Sequence, residues 1–182
     1  MPFEGDTTLN HFNVSGCNSY AVDVVNTRLE RLVNGVAPGP VVGIIGDNGS
    51  GKTLLGHGLV RAARDNGIIS HYIDVRTYSS DYSAAVKVVR AGGQADIPPK
   101  IPFIESSKLI VWDGLEAFFA SDRGFMKEGT QKIFGNLLYR AMSRSTMNFL
   151  MYSGNMDEWK AWIGALDKAA QDQHEEYFRH LA

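Results

Sequence analysis

The residues with the clearest chemistry form a glycine-rich octapeptide, 46–53, directly after the apolar run 41–45. The octapeptide fits G-x-x-x-x-G-K-[ST], a loop whose backbone N–H groups surround phosphate oxygens. In this pattern Lys52 reaches the β- and γ-phosphates and the Thr53 hydroxyl ligates Mg²⁺. The sequence therefore predicts a site for ATP or ADP with Mg²⁺, and its expected residues are Gly46, Asp47, Asn48, Gly49, Ser50, Gly51, Lys52, Thr53 and Leu54.

A carboxylate that holds Mg²⁺ is expected at the end of an apolar strand, and the segment 108–113 ends in Asp113. Many P-loop ATPases carry an acid at the next position to orient the attacking water, but here that residue is Gly114. Glu116 is the candidate base instead, and its alternative role is that of an acidic residue near a helix start. We therefore expect nucleotide binding, with ATP hydrolysis that is weak at most.

A polar side chain that contacts the γ-phosphate is expected after the next apolar strand, 147–152. Ser153 and Asn155 both lie there. Asn155 has a second interpretation, because Asn155 and Glu158 have the spacing of an N-cap and its acidic third residue. At the level of sequence both roles are open for Asn155, and one residue could serve both.

These residues need a sheet to bring them together. Apolar strands are predicted at 41–45, 68–75, 108–113 and 147–152. Helices are predicted at 18–34, 52–66, 83–91, 133–142 and 156–182, with 79–82 as a turn and helix start, 92–102 as a turn-rich connection and 1–16 as an extended lead-in. Alternating strands and helices predict an α/β fold, with three layers and a mostly parallel sheet flanked by helices, in one domain over residues 1–182.

Composition limits the classes of protein. The 182 residues are 44% hydrophobic, which is enough for one sizeable core. The net charge of −2 gives no overall attraction to nucleic acid, so contact with DNA would need a local basic patch. The single Cys17 excludes an intramolecular disulfide and a cysteine-based metal cluster. Without a long apolar run or a signal-peptide pattern, we expect a cytoplasmic protein with no membrane partner.

The same motifs, in this order, resemble the AAA+ module of the DnaA/Hda replication-initiation family. The most specific parts are the loop with its junction 52–55 and the segment 109–119, which is similar to the family's Walker B segment. Segments 8–12 and 72–74 are similar to its entry segment and second strand, and the resemblance spans roughly residues 8–156. It implies an AAA+, ASCE-type P-loop fold and nucleotide-dependent assembly, with itself or with a replication initiator or helicase protein.

The sequence also departs from that family. Gly114 replaces the second acid of Walker B, and we expect neither the fifth strand, the helical lid with its sensor arginine nor a helix-turn-helix domain in this chain. No motif matches the family's arginine finger, for which Arg140, Arg144 and Arg179 are candidates by elimination.

Other functions are open to a chain with this loop. The main alternative is a small P-loop kinase that phosphorylates a metabolite, although only Arg76 and Arg90 lie between the second and third predicted strands, too few for an arginine-rich lid. An ABC-type ATPase would need a Leu-Ser-Gly-Gly-Gln-like signature, which the sequence lacks. A further alternative is a degenerate member that keeps nucleotide only as a folding ligand.

Overall fold

A computed structural model describes residues 18–36, 41–96, 106–118 and 147–160. The elements are α1 (Ser19–Val33), β1 (Val41–Gly46), α2 (Lys52–Asp65), β2 (Ser70–Asp74), α3 (Val75–Arg90), β3 (Leu109–Asp113), a 3₁₀ helix (Leu115–Phe118) and β4 (Met147–Ser153). A further helix begins at residue 156. The lead-in 1–16, Cys17, the end of the connection 92–102, the helix predicted at 133–142 and residues 161–182 lie outside the described residues.

The four strands form one parallel sheet in the order β1-β4-β3-β2. The parallel α/β sheet predicted from the sequence is therefore confirmed. Because all strands run the same way, their carboxyl ends meet at one edge, which is where open α/β sheets bind ligands. At this edge Gly46 pairs with Ser153, and Asp74 pairs with Asp113.

Both faces of the sheet are buried. Successive side chains of β3 and β4 lie alternately on one face and on the other. One face packs against α1 and α2 and carries Leu109, Val111, Met147, Phe149 and Met151. The other face packs against Val75, Tyr78 and the 3₁₀ helix, and carries Ile110, Trp112, Leu150 and Tyr152. A strand covered on both faces reads as a continuous apolar run, which is why the sequence located β3 and β4 so closely.

The start of α3 differs from the sequence prediction. We expected a strand over 68–75 and a helix only from Ser83, but β2 ends at Asp74 and α3 begins at Val75. The Asp74 carboxylate caps the helix, since it accepts from the Arg76 N–H at 3.0 Å and from Thr77 Oγ1 at 3.2 Å. Residues 79–82, expected as a turn and helix start, lie inside α3.

No helix in the described part of the chain is long and apolar enough to cross a membrane.

Candidate nucleotide-binding site

The loop between β1 and α2 is bent by two glycines. Gly49 and Gly51 have φ angles of 82° and 87°, in the left-handed region that glycine adopts without a steric cost. Gly51 is the N-cap of α2, and its carbonyl oxygen accepts a hydrogen bond from the Leu55 N–H at 2.9 Å. The positive end of α2 therefore starts inside the loop, which is the arrangement that favours an anion there.

Lys52 is the first residue of α2, and its side chain turns back onto the loop. Its Nζ donates to the carbonyl oxygens of Gly46 at 2.9 Å and Asp47 at 2.7 Å, and to Ser50 Oγ at 3.1 Å. The residue is only 8% exposed. Burial lowers the pKa of Lys52, while nearby carboxylates, Glu116 foremost, raise it. The ammonium therefore lies against the loop in which the sequence predicts phosphate binding.

Thr53 and Asp113 are 60 residues apart in sequence and in direct contact in the fold. Thr53 Oγ1 donates to Asp113 Oδ2 at 2.6 Å. The Asp113 carboxylate is 3% exposed at the end of β3, beside the first turn of α2. A hydroxyl and a carboxylate are the hard oxygen donors that Mg²⁺ prefers, so these two residues fit the metal that an NTP site requires.

A tyrosine from β2 contacts the same oxygen of this carboxylate. The Tyr72 hydroxyl also donates to Asp113 Oδ2. Burial raises the pKa of Tyr72, and the bond to Asp113 raises it further, so the phenol stays a proton donor. The His57 ring stacks on the Tyr72 ring, with centroids 3.9 Å apart and planes 21° apart. Side chains from β2 and α2 thus fix the orientation of Asp113.

Gly114, the residue after Asp113, has a conformation that explains the absent side chain. Its φ is 79°, which strains any residue except glycine. A Cβ at this position would lie 2.8 Å from Arg76 Nε and 3.4 Å from Arg76 Cζ. The place of the second Walker B acid is therefore taken by an approaching guanidinium group.

Glu116, the predicted candidate base, lies in the 3₁₀ helix and reaches across to β4. Its Oε2 accepts a hydrogen bond from the Ser153 backbone N–H at 3.0 Å. Its charge is felt by Lys52, whose pKa it raises, so the carboxylate faces the same edge of the sheet. Glu116 thus connects the ends of β3 and β4 next to the loop, and its role as a base stays a prediction.

Asn155 forms the cap that the sequence offered as one of its two roles. Its Oδ1 accepts from the backbone N–H groups of Asp157 at 3.0 Å and Glu158 at 2.9 Å. Glu158 Oε2 accepts in return from the Asn155 N–H at 3.3 Å, which completes a capping box. The oxygen of Asn155 is therefore engaged by the helix, and contact with a γ-phosphate stays a prediction.

Most of the other predicted residues of the loop are exposed to solvent. Asp47, Asn48 and Ser50 are exposed, and Leu54 is 39% exposed on the first turn of α2. In the described ranges no group of three or more His, Cys, Asp or Glu side chains could hold a metal ion. A magnesium ion here would thus be held by Thr53, Asp113 and the nucleotide itself. Arg140, Arg144 and Arg179 lie outside the described residues.

Three residues of this edge are not predicted as site residues from the sequence: Tyr72, His57 and Arg76. Tyr72 and Arg76 come from β2 and the first turn of α3, and their closeness to Asp113 follows from the pairing of β2 with β3. A sequence gives no direct signal of which strands pair. His57 joins this edge through its stack on the Tyr72 ring.

No protein-family model matches the chain, and no curated protein matches it. Among solved structures, DnaA from Aquifex aeolicus bound to AMPPCP matches with a TM-score of 0.60 at 23% identity, over 81% of this chain and 42% of that one. DnaA bound to AMPPCP and single-stranded DNA matches with a TM-score of 0.59 at 23% identity, over 81% and 42%. The DnaC helicase loader matches with a TM-score of 0.59 at 14% identity, over 93% and 92%.

This chain thus spans less than half the length of the two DnaA structures and most of the length of the DnaC helicase loader. At these identities the likeness concerns the fold, and it agrees with the parallel sheet and with the resemblance that the motifs carry. The chain has a DnaA-like AAA+ fold.

Proposed function

We propose that this protein binds ATP with Mg²⁺ in the loop after β1, and that the bound nucleotide controls its assembly, either with itself or with a replication initiator or helicase protein. The observation that carries the proposal is the meeting of Lys52, Thr53 and Asp113 at one edge of a DnaA-like sheet. A DnaA structure with this fold is bound to AMPPCP, a triphosphate analogue, which supports nucleotide as the ligand.

Each of these residues has a definite task in that proposal. The loop N–H groups and the N-terminus of α2 bind the phosphates, and Lys52 neutralises charge on the β- and γ-phosphates. Thr53 and Asp113 would hold Mg²⁺, which would neutralise phosphate charge when bound. Tyr72 keeps the Asp113 carboxylate in place through its hydrogen bond.

The residues on the hydrolytic side of the site support slow hydrolysis of ATP, and so a slow change from the ATP state to the ADP state. Gly114 has no side chain to orient water, and the Glu116 carboxylate is engaged with the Ser153 N–H. That same bond joins the ends of β3 and β4, so a change at the γ-phosphate can be transmitted to β4. A long-lived ATP state that presents a surface absent from the ADP state would then act by shifting the assembly equilibrium.

The test is size-exclusion chromatography with light scattering on the apo protein and on samples with ADP–Mg²⁺ and ATP–Mg²⁺, with released phosphate measured in the same tubes. We expect a larger mass with ATP, little phosphate release, and loss of both nucleotide binding and assembly in Lys52→Ala. Lys87→Ala, a change of an exposed lysine in the last turn of α3, is the matched control and should behave as the wild type.

The outcomes separate the parts of the proposal. A protein that binds no nucleotide would refute the proposal as a whole. A protein that binds ATP and stays monomeric in every state would refute self-assembly. In that case, a mixture with a replication initiator or helicase protein tests the partner, and phosphate transfer to a metabolite would favour the small kinase instead.

A further inference from the structure

Arg76 is a cation at this edge of the sheet that the nucleotide motifs do not account for. It lies in the first turn of α3, directly after the cap Asp74, whose strand position pairs with Asp113. The pairing of β2 with β3 therefore places Arg76 beside the end of β3, where Mg²⁺ would be held.

The guanidinium lies against the backbone of Gly114. An ideal Cβ on Gly114 would lie 2.8 Å from Arg76 Nε and 3.4 Å from Arg76 Nη2. Any side chain at position 114 would collide with this group, so the glycine leaves room for the arginine. With a side chain at position 114, the exposed guanidinium would have to move from its place.

The charge of Arg76 reaches the phosphate loop. Burial is the main cause that lowers the pKa of Lys52, and the positive charge of Arg76 lowers it further. Lys52 and Arg76 thus carry like charges at the same edge of the sheet. Two like charges held together in this way are stabilised when an anion lies between them.

The ion pair with Asp74 does not account for this placement. Arg76 Nε lies 3.7 Å from Asp74 Oδ1, and the two side chains are 58% and 44% exposed. Exposed pairs of this kind are worth little, about 0–1 kcal/mol. The Arg76 side chain keeps more than half of its surface open to solvent, and its planar fork suits two phosphate oxygens at once.

We propose that Arg76 binds the γ-phosphate of the nucleotide within its own subunit, so that it makes the site prefer the triphosphate over the diphosphate. The inference rests on the proposed nucleotide binding. In place of a carboxylate that activates water, the site then has a cation that binds the terminal phosphate.

The experiment compares the affinities for AMPPCP and ADP, both with Mg²⁺, by calorimetry on the full chain. We expect Arg76→Ala to lower the affinity for AMPPCP about 10-fold, which is the size expected for loss of a hydrogen bond between charged groups, and to leave the affinity for ADP nearly unchanged. Arg76→Lys should fall between the two, since it keeps the charge and loses the fork. The matched control is Arg90→Ala, at the far end of α3.

A second measurement reports on the contact itself. The ³¹P resonance of the γ-phosphate of bound AMPPCP should move in Arg76→Ala and stay in place in Arg90→Ala. Equal losses for AMPPCP and ADP, or an unchanged preference for the triphosphate, would overturn the assignment. A wild-type protein that binds neither ligand would instead refute the nucleotide site on which the assignment rests.

Discussion

The candidate site consists of two halves that differ in the functional side chains they contain. The binding half consists of the loop after β1, Lys52, Thr53 and Asp113, and its side chains are joined by hydrogen bonds of 2.6–3.1 Å. The hydrolytic half consists of Gly114, Glu116 and the end of β4, and it has no side chain at the position where an acid would orient water. The difference fits the proposal of a site that holds a nucleotide and cleaves it slowly at most.

Burial differs between the residues of the site as well. Lys52 and Asp113 are 8% and 3% exposed, so these two side chains are held in place before any ligand arrives. Asn155 and Arg76, next to the hydrolytic half, are exposed and form a surface there, although Gly114 itself is buried and Glu116 is half-buried. Such a surface would be accessible to a partner protein that binds one nucleotide state in preference to the other. We therefore expect substitutions in the binding half to change the affinity for the ligand. Substitutions in or next to the hydrolytic half should change the stability of the protein or its preference for the triphosphate over the diphosphate.

The largest effect is expected from Asp113→Asn, which removes the charge that Mg²⁺ needs. The affinity for ATP–Mg²⁺ should fall on the order of 100-fold, because loss of a direct ligand costs at least as much as loss of an outer partner, roughly 10- to 100-fold. Calorimetry with Mg²⁺ and with EDTA checks this, since the variant should bind ATP equally in both.

The control for that change is Asp74→Asn, at the position of β2 that pairs with Asp113. Asn is as good an N-cap as Asp, so α3 should keep its start. If Asp74→Asn lost the Mg²⁺ dependence to the same extent, the effect of Asp113→Asn could not be assigned to the loss of a metal ligand. Asp113 would then not be counted in the binding half.

The next effect concerns Gly114 and decides whether the hydrolytic half can be restored by one acid. We expect Gly114→Asp to lower the free energy of unfolding by about 2–3 kcal/mol, from about 1–2 kcal/mol for the left-handed φ and a further contribution from the clash with Arg76. Phosphate release should not rise. Urea unfolding and a phosphate assay check the two statements.

Gly92→Asp is the matched control, because Gly92 has a φ of 83° and nothing within 4 Å of an added Cβ. Its loss of stability should therefore contain only the backbone cost. The double variant Arg76→Ala with Gly114→Asp should recover the difference between the two single glycine changes. Equal losses in both glycine variants would mean that the approach of Arg76 is not what keeps position 114 free of a side chain.

The sequence predicts the binding half better than the hydrolytic half, for a physical reason. The loop, Lys52 and Thr53 are contiguous, and Asp113 ends an apolar run, so short-range patterns are enough to place them. Tyr72 and Arg76 join the site only because β2 pairs with β3, and a pairing between distant segments leaves no local pattern. The start of α3 was missed because Val75 continues the apolar strand pattern, although Asp74 is a good N-cap.

A smaller effect is expected from Tyr72→Phe, which removes one of two hydroxyl groups that orient Asp113. We expect the concentration of Mg²⁺ needed for ATP binding to rise about 10-fold, the lower end of what loss of an outer partner costs. The ring and its stack on His57 remain, so the fold should be kept. Tyr20→Phe, a change of a side chain that is 82% exposed, is the control. An unchanged Mg²⁺ requirement in Tyr72→Phe would leave Thr53 as the residue that orients the carboxylate.

The smallest effect separates the two roles of Asn155, because Asp can cap a helix but lacks the amide N–H₂ that a phosphate would accept from. Asn155→Ala should lower the free energy of unfolding by about 1 kcal/mol through loss of the cap. Asn155→Asp should keep that stability and the wild-type affinities for AMPPCP and ADP, since the exposed Oδ1 serves the N–H groups of Asp157 and Glu158. Urea unfolding and calorimetry measure both quantities. A selective loss of AMPPCP affinity in Asn155→Asp would show that the amide reaches the γ-phosphate, and Asn155 would then belong to the binding half of the site.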